Sequence, residues 1–297
     1  MEKTDSKTGL EYIADYLMRI QAKRNELKLQ NDDIIVYRGH ADIKYQFIPS
    51  LFREGNERVC QNEARFLEQL EVERPDQFSN MTTLEKLVKI QHYGFVTRIL
   101  DVTSNPLVAL YFAARATKKD KNQERHDGNV FMCRIPRKFI KTFDDDTAMC
   151  LANLARLSES EKQQLKEAFL RKQTKTEDKC IVEHFINIIL SDRPYFNSSM
   201  FLKNLEDLYN PIYVNVKKAN PRILAQQGAF IIFGMNDNEK SMTWIQNNIT
   251  SVKIDKQYKK ATLEALSTLN INKGTLFPEF DSFLADALKR AKNGIFV

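Results

Sequence analysis

The chain has 297 residues, of which 42% are hydrophobic and 28% are charged, values typical of a globular protein with a full hydrophobic core. No apolar run approaches the ~20 residues of a membrane-spanning helix, and the first residues lack the apolar segment of a secretory signal. We therefore expect a cytoplasmic protein with no membrane partner. The net charge of +6 suits a phosphate-bearing partner. The four cysteines are scattered, which argues against a metal site and a disulfide framework.

Hydrophobic periodicity predicts alternating helices and strands in the first half of the chain. Apolar residues at helical spacing indicate a helix from about residue 8 to 28, within an N-terminal segment 1–30. A strand at 34–37 then ends at Arg38 and Gly39. The elements predicted after it are, in order, a helix at 62–73, a helix opened by a capping box at 82–85, a strand at 99–102, a helix from 106 and a strand at 129–135.

The stretch 91–115 combines polar and titratable side chains with a strand and a helix start. The Ser-Asn-Pro run at 104–106 favours a helix N-terminus, because asparagine can cap free N–H groups and proline gives up a donor that has no partner there. Polar groups at such a position are well placed to meet an anion. An alternative interpretation is a buried strand–helix unit in which Arg98 and Asp101 pair with each other.

The predicted elements are different in the second half of the chain. Amphipathic helical segments dominate residues 137–210, which predicts a helical insertion or lid between two halves of a sheet. β-type residues then predict strands at 212–216, 229–233 and 250–254, and helices at 256–269 and 279–292 close the chain within 255–297. The sequence thus predicts an α+β fold over 1–297, a single domain with a mixed sheet core, a helical insertion and flanking helices.

The common catalytic and phosphate-binding signatures are missing. There is no Gly-x-Gly-x-x-Gly, Walker loop, His-Glu-x-x-His or Gly-x-Ser-x-Gly pattern. Only nine glycines are present, so a glycine-rich phosphate cradle is excluded.

Three motifs resemble those of the FRG domain, a family named for its Phe/Tyr-Arg-Gly signature. The first is Tyr-Arg-Gly at 37–39. The second, at 92–113, follows the pattern His-Tyr-Gly-x-x-Thr-Arg-x-Leu-Asp-x-Thr-x-x-Pro-x-x-Ala-x-x-Phe-Ala. The third is Arg-Ile-Leu-Ala-Gln-Gln-Gly-Ala-Phe at 222–230, and residues 275–281 are similar to the family's C-terminal segment. The resemblance therefore spans nearly the whole chain.

The order of these motifs also resembles the layout of ADP-ribosyltransferases. In those enzymes a first-strand Arg or His, a second-strand Ser-Thr-Ser element and a third-strand Glu converge on NAD, and the likeness is one of fold. It implies NAD as the cofactor, with Arg38, Asp101 and Gln226 as candidate catalytic residues. The implied cofactor-binding residues are Arg38, Gly39, His92, Arg98, Thr103, Ser104 and Gln227.

One position departs from the transferase pattern. Gln226 or Gln227 stands where the catalytic Glu would stabilise the oxocarbenium-like ribose as nicotinamide leaves. A neutral amide cannot supply that charge. Either Asp101 takes over this role, or the site binds a nucleotide without turning it over.

Three hypotheses about function remain open at this point. The first is an NAD-dependent, ADP-ribosyltransferase-like enzyme with a protein or RNA target; the resemblance implies a bacterial effector, toxin or phage-defence factor. The second is a non-catalytic module that binds or senses a nucleotide or nucleic acid. The third is an interaction domain that uses the helical insertion as its binding surface.

Overall fold

The computed structural model describes residues 7–116, 125–171, 175–198, 208–215, 221–235 and 243–278. Within these ranges the fold is α+β, with a seven-stranded mixed sheet and helices packed against it. The predicted closing helix at 279–292 and the end of the predicted strand at 216 lie outside the described residues. No helix in the described ranges is long and apolar enough to cross a membrane.

The sheet has the strand order β4-β5-β6-β2-β1-β3-β7. Its strands are β1 (Ile34–His40), β2 (Ile99–Thr103), β3 (Gly128–Ile135), β4 (Ile140–Thr142), β5 (Ile212–Asn215), β6 (Gly228–Ile232) and β7 (Ile249–Ile254). All neighbouring pairs are antiparallel except β4 and β5, which run parallel and make the sheet mixed. The edge strand β4 was not predicted, because three residues are too few for an alternating pattern to stand out.

Where a helix was predicted and lies in the described residues, it begins and ends close to the predicted position. The described helices are α1 (Gly9–Glu26), α2 (Glu57–Gln61), α3 (Glu63–Glu73), α4 (Pro75–Phe78), α5 (Thr83–His92), α6 (Pro106–Ala114), α7 (Asp146–Asn153), α8 (Glu159–Leu170), α9 (Thr176–Asp192), α10 (Pro221–Ala225), α11 (Thr243–Gln246), α12 (Lys259–Thr268) and α13 (Lys273–Leu276). Five short helices (α2, α4, α10, α11 and α13) were not predicted. Thr8 caps α1, and the predicted capping box of Thr82 and Glu85 opens α5. Asn105 caps α6, as its position before a proline predicts.

Two groups of helices cover the same face of the sheet side by side. Paired residues of an antiparallel ladder point to one face, so Tyr37 of β1 shares a face with Thr103, and hence with Ile99, of β2. Tyr37 belongs to an apolar core with α1, α6 and α12, whereas Ile99 belongs to a core with α5, α7, α8 and α9. The boundary between the two groups therefore follows the junction of β1 and β2. The opposite face carries a third apolar cluster that includes Phe47 and Trp244.

The sheet is open at this junction. Strand β1 pairs with β3 along its whole length, and β2 pairs with β6 along its whole length. Between β1 and β2, however, the register contains the single pair Tyr37 and Thr103. A regular ladder would continue with Arg38 opposite Val102, and these residues instead face a gap.

Helices predominate in the described part of the segment 137–210, after a 3-10 turn at Arg137–Phe139 and strand β4. Its helices α7, α8 and α9 pack against α5 and the neighbouring strands in one apolar core. None of the described residues of this segment lines the cavity at the β1–β2 junction. The described part of the segment is thus built into the core and does not cover that cavity.

Candidate functional site

A cavity of about 260 Å³ lies where β1 and β2 separate. Its walls come from both strands, from β6, from the ends of α5 and α6, and from α10. All three sequence motifs therefore meet in one place, although long stretches of chain separate them. Of the site residues predicted from the sequence, the cavity brings together Arg38, Gly39, His92, Asp101, Thr103 and Gln226.

Arg38 spans the gap between the two strands. One of its terminal nitrogens donates to the backbone carbonyl of Asp101 and lies 3.9 Å from the Asp101 carboxylate. Its Nε–H donates to Nε2 of His40 at 2.8 Å. The side chain therefore occupies the place where a continuous sheet would form backbone hydrogen bonds, while 18% of its surface stays exposed.

His40 is a site residue that the sequence reasoning missed. Its ring is buried, accepts from Arg38 and contacts the Tyr45 carbonyl through Nδ1 at 3.1 Å. These partners assign a neutral tautomer with the proton on Nδ1. Burial holds the pKa of His40 well below its usual value, and the nearby Arg38 and Arg53 lower it further. The two-residue spacing from Arg38, which puts both side chains on one face of a strand, was a signal that could have found it.

Asp101 is the only acidic side chain among the described residues that line the cavity. About half of its surface is exposed, and its carboxylate accepts from the Gln91 side chain at 2.9 Å. The Arg98–Asp101 pairing considered above is wrong. Asp101 faces Arg38, whereas Arg98 is buried and binds both carboxylate oxygens of Glu63. The odd spacing of Arg98 and Asp101 places their side chains on opposite faces of an extended chain.

Arg98 consequently lies outside this cavity. It also donates to the carbonyls of Phe233 and Gly234 at 3.1 and 3.0 Å, so all three of its guanidinium nitrogens are hydrogen-bonded inside the protein. It lines a separate cavity of about 310 Å³, close to Lys162.

Ser104 and Gln227 also lie outside the cavity lining. The Ser104 amide donates to the Gln227 carbonyl at 3.1 Å, and the Ser104 hydroxyl lies 3.5 Å from the Gln227 side chain. The α6 N-terminus next to them is satisfied by Asn105, which accepts from two backbone amides. The end of α6 that reaches the cavity is the C-terminal one, contrary to the anion site expected at its N-terminus.

Gln226 and Thr103 are held by backbone partners. The Thr103 hydroxyl donates to the Gln226 carbonyl at 2.7 Å. The Gln226 amide donates to the Leu276 carbonyl at 2.9 Å, which ties the third motif to the segment around α13.

Gly39 allows close packing of a helix. A Cβ atom on Gly39 would lie 1.8 Å from the Ala109 carbonyl oxygen of α6. Only glycine therefore fits between β1 and this helix, and its backbone has no positive φ.

Three further arginines line the same cavity: Arg53, Arg115 and Arg222. Arg53 donates to the Ile48 carbonyl through two nitrogens, at 3.2 and 2.9 Å. Arg115 caps the C-terminus of α6, where a cation is favoured by the helix dipole, and Arg222 donates to the His92 carbonyl at 3.1 Å. Arg222 opens the third motif, but nothing in the sequence links Arg53 or Arg115 to Arg38.

The cavity is therefore strongly electropositive. The pKa of Arg38 is lowered to about 10, chiefly by burial and in part by the charges of Arg53 and Arg115, while the charge of Asp101 opposes the shift. The pKa of Arg115 is also lowered, chiefly by burial and in part by Arg222. An anion in the cavity would relieve the mutual repulsion of these four arginine side chains.

Comparison with known proteins identifies the class to which part of this chain belongs. Residues 33–122 match the family model of the FRG domain. The chain thus contains an FRG domain, and the matched range includes β1, β2 and α6, with the first two sequence motifs. Searches of curated proteins and of solved structures found no match.

Proposed function

We propose that the cavity at the β1–β2 junction binds a phosphate-bearing nucleotide, with NAD as the first candidate. The observation that carries the proposal is the presence of Arg38, Arg53, Arg115 and Arg222 around one cavity whose described lining has a single carboxylate. Guanidinium groups present forked donors that match phosphate oxygens. A partly enclosed site strengthens such contacts relative to water.

The size of the cavity limits how the ligand is held. A volume of about 260 Å³ lies just below the roughly 300–1,000 Å³ of most small-molecule sites. A cavity of this size encloses one half of a dinucleotide such as NAD, and the other half lies at the opening of the cavity.

A second candidate function is cleavage of the bond between nicotinamide and ribose, in which water or a nucleophile of a target molecule bonds to the ribose carbon as nicotinamide leaves. It is favoured by the position of the Asp101 carboxylate, which is half exposed and lies 3.9 Å from Arg38. A carboxylate can stabilise the positive charge that develops on the ribose as the base leaves. The Gln226 amide carries no charge and donates to Leu276, so the same role falls to Asp101.

The direct test is ligand-induced stabilisation. A ligand that binds only the folded state raises the melting temperature, so NAD, ADP-ribose, ATP and a short RNA should be compared at equal concentrations. We expect stabilisation by the nucleotides and a loss of affinity of roughly ten- to a hundredfold in Arg38→Gln, the value of one charge-assisted hydrogen bond. Arg74→Gln is the matched control, because Arg74 is 65% exposed, pairs with Asp76 and lies outside the cavity.

Three results would count against the proposal. Absence of stabilisation by every nucleotide would show that the arginines serve another purpose. Stabilisation by RNA alone would identify a nucleic-acid site, and equal weakening in both variants would show that binding follows net charge only.

A further inference from the structure

The aromatic ring of Phe277 lies against the guanidinium groups of two arginines that line the cavity. The guanidinium carbon of Arg222 lies 4.7 Å from the centre of the Phe277 ring, and that of Arg115 lies 5.5 Å from it. Arg115 also lies over the ring of Phe112, at 4.6 Å. The face of an aromatic ring attracts a cation, so the ring stabilises two like charges that would otherwise move apart.

The segment that carries Phe277 is itself anchored at the third motif. Gln226 donates to the carbonyl of Leu276, the residue just before Phe277. Leu276 is buried in the apolar core formed with α1, α6 and α12. The ring centres of Phe277 and Phe112 of α6 lie 6.1 Å apart, and the two rings meet edge to face. The third motif, the apolar core around Leu276 and α6 therefore fix the position of the Phe277 ring, against which the Arg115 and Arg222 guanidinium groups lie.

The second arginine pair is close to the first. Arg38 and Arg53 line the same cavity, and the charges of Arg53 and Arg115 both influence Arg38. The charge of Arg222 in turn influences Arg115. The cavity thus contains four guanidinium groups near one another, a larger positive charge than one phosphate group can neutralise.

We infer that Arg115 and Arg222, held against Phe277, form a second phosphate subsite, so that the ligand of this cavity carries a diphosphate. This inference rests on the proposed function, because it specifies the nucleotide class that the same cavity takes. One phosphate group contacts Arg38 and Arg53, and the next contacts Arg115 and Arg222. Gln226 acts as a positioning residue for this subsite through Leu276 and Phe277.

The test compares AMP with ADP, which differ by one phosphate group. Isothermal titration calorimetry in magnesium-free buffer should show that the wild-type protein binds ADP roughly ten- to a hundredfold more tightly than AMP. Arg115→Gln and Arg222→Gln should each reduce ADP affinity toward the AMP value and leave AMP affinity nearly unchanged. Arg38→Gln should weaken both ligands. Arg74→Gln serves as the control for charge alone.

A further variant tests the aromatic ring. Phe277→Leu keeps an apolar side chain but removes the π face, so it should lower the ADP preference, while Phe277→Tyr should retain it. Melting curves of each variant establish that the fold is intact. If Phe277→Leu fails to fold, the ADP preference of Arg115→Gln and Arg222→Gln decides the question.

The outcomes separate this inference from the proposed function. Equal affinities for ADP and AMP in the wild type, or an unchanged ADP preference in Arg115→Gln and Arg222→Gln, would overturn the diphosphate subsite and leave nucleotide binding intact. Absence of binding by either ligand would overturn the proposed function together with this inference.

Discussion

Arg38 donates its Nε–H to Nε2 of His40 at 2.8 Å, and His40 contacts the Tyr45 carbonyl through its other ring nitrogen at 3.1 Å. A neutral histidine therefore fixes the orientation of the arginine that bridges the open junction of the sheet. Protonation would remove the acceptor that Arg38 uses and would place a second charge beside it. Arg38 thus supports the fold as well as lining the site.

The first prediction concerns pH. The pKa of His40 is depressed in the folded protein, mainly by burial, and is about 6.5 when unfolded. Below about pH 6.5 His40 binds a proton in the unfolded chain but not in the folded protein. The free energy of unfolding therefore decreases as the pH falls toward the pKa of His40 in the folded protein. The expected slope from this residue is up to about 1.4 kcal/mol per pH unit.

Urea denaturation between about pH 5 and 8 measures this slope. His40→Gln is the matched variant, because its amide oxygen can accept from Arg38 but does not titrate. We expect a shallower pH dependence in the variant. Identical slopes for the two proteins would show that His40 titrates similarly in both states.

The second prediction concerns Asp101. If the cavity cleaves NAD, Asp101→Asn should abolish nicotinamide release while NAD affinity survives, because the amide keeps the shape and loses the charge. Free nicotinamide can be followed chromatographically over hours at high protein concentration. A wild-type protein that binds NAD and releases no nicotinamide would establish a binding module.

The third prediction concerns Gln226. A glutamate there cannot donate to the Leu276 carbonyl, so Gln226→Glu should lower the melting temperature and reduce any preference for ADP over AMP. Gln227→Glu introduces the same charge at the next residue and serves as the control, because Gln227 lies outside the cavity. Increased nicotinamide release in Gln226→Glu would instead show that residue 226 occupies the position of a catalytic glutamate.

The fourth prediction concerns Gly39. Its substitution by alanine places a Cβ atom 1.8 Å from the Ala109 carbonyl oxygen. The nearest atoms all belong to the backbone of Ala109 and Ala113 and cannot rotate away, so β1 and α6 must move apart. We expect a loss of about 3 kcal/mol or more in the free energy of unfolding. Gly228→Ala, whose Cβ would meet its nearest atom at 3.5 Å, should change it by less than about 1 kcal/mol. Equal losses in urea denaturation would contradict this packing role.

Helices and strands that are specified by residues close together in the chain could be predicted from the amino-acid sequence. The caps at Thr8, Thr82 and Asn105 lie within a few residues of the amides they satisfy, and they mark the observed helix starts. Runs of β-branched and aromatic residues likewise predicted most strands of the sheet, because such side chains pack well on a pleated surface. The Tyr-Arg-Gly motif indicated Arg38, which lines the cavity.

Which charged side chains lie next to each other depends on the packing of distant parts of the chain. Arg98 pairs with Glu63 of α3, and Arg115 reaches the cavity of Arg38 from the far end of α6. These relationships depend on strand order, on the opening between β1 and β2, and on which helix packs over that opening. None of these is a local property of the chain. A buried charge needs a partner, but the identity of that partner is set by whichever group the fold brings within hydrogen-bonding distance.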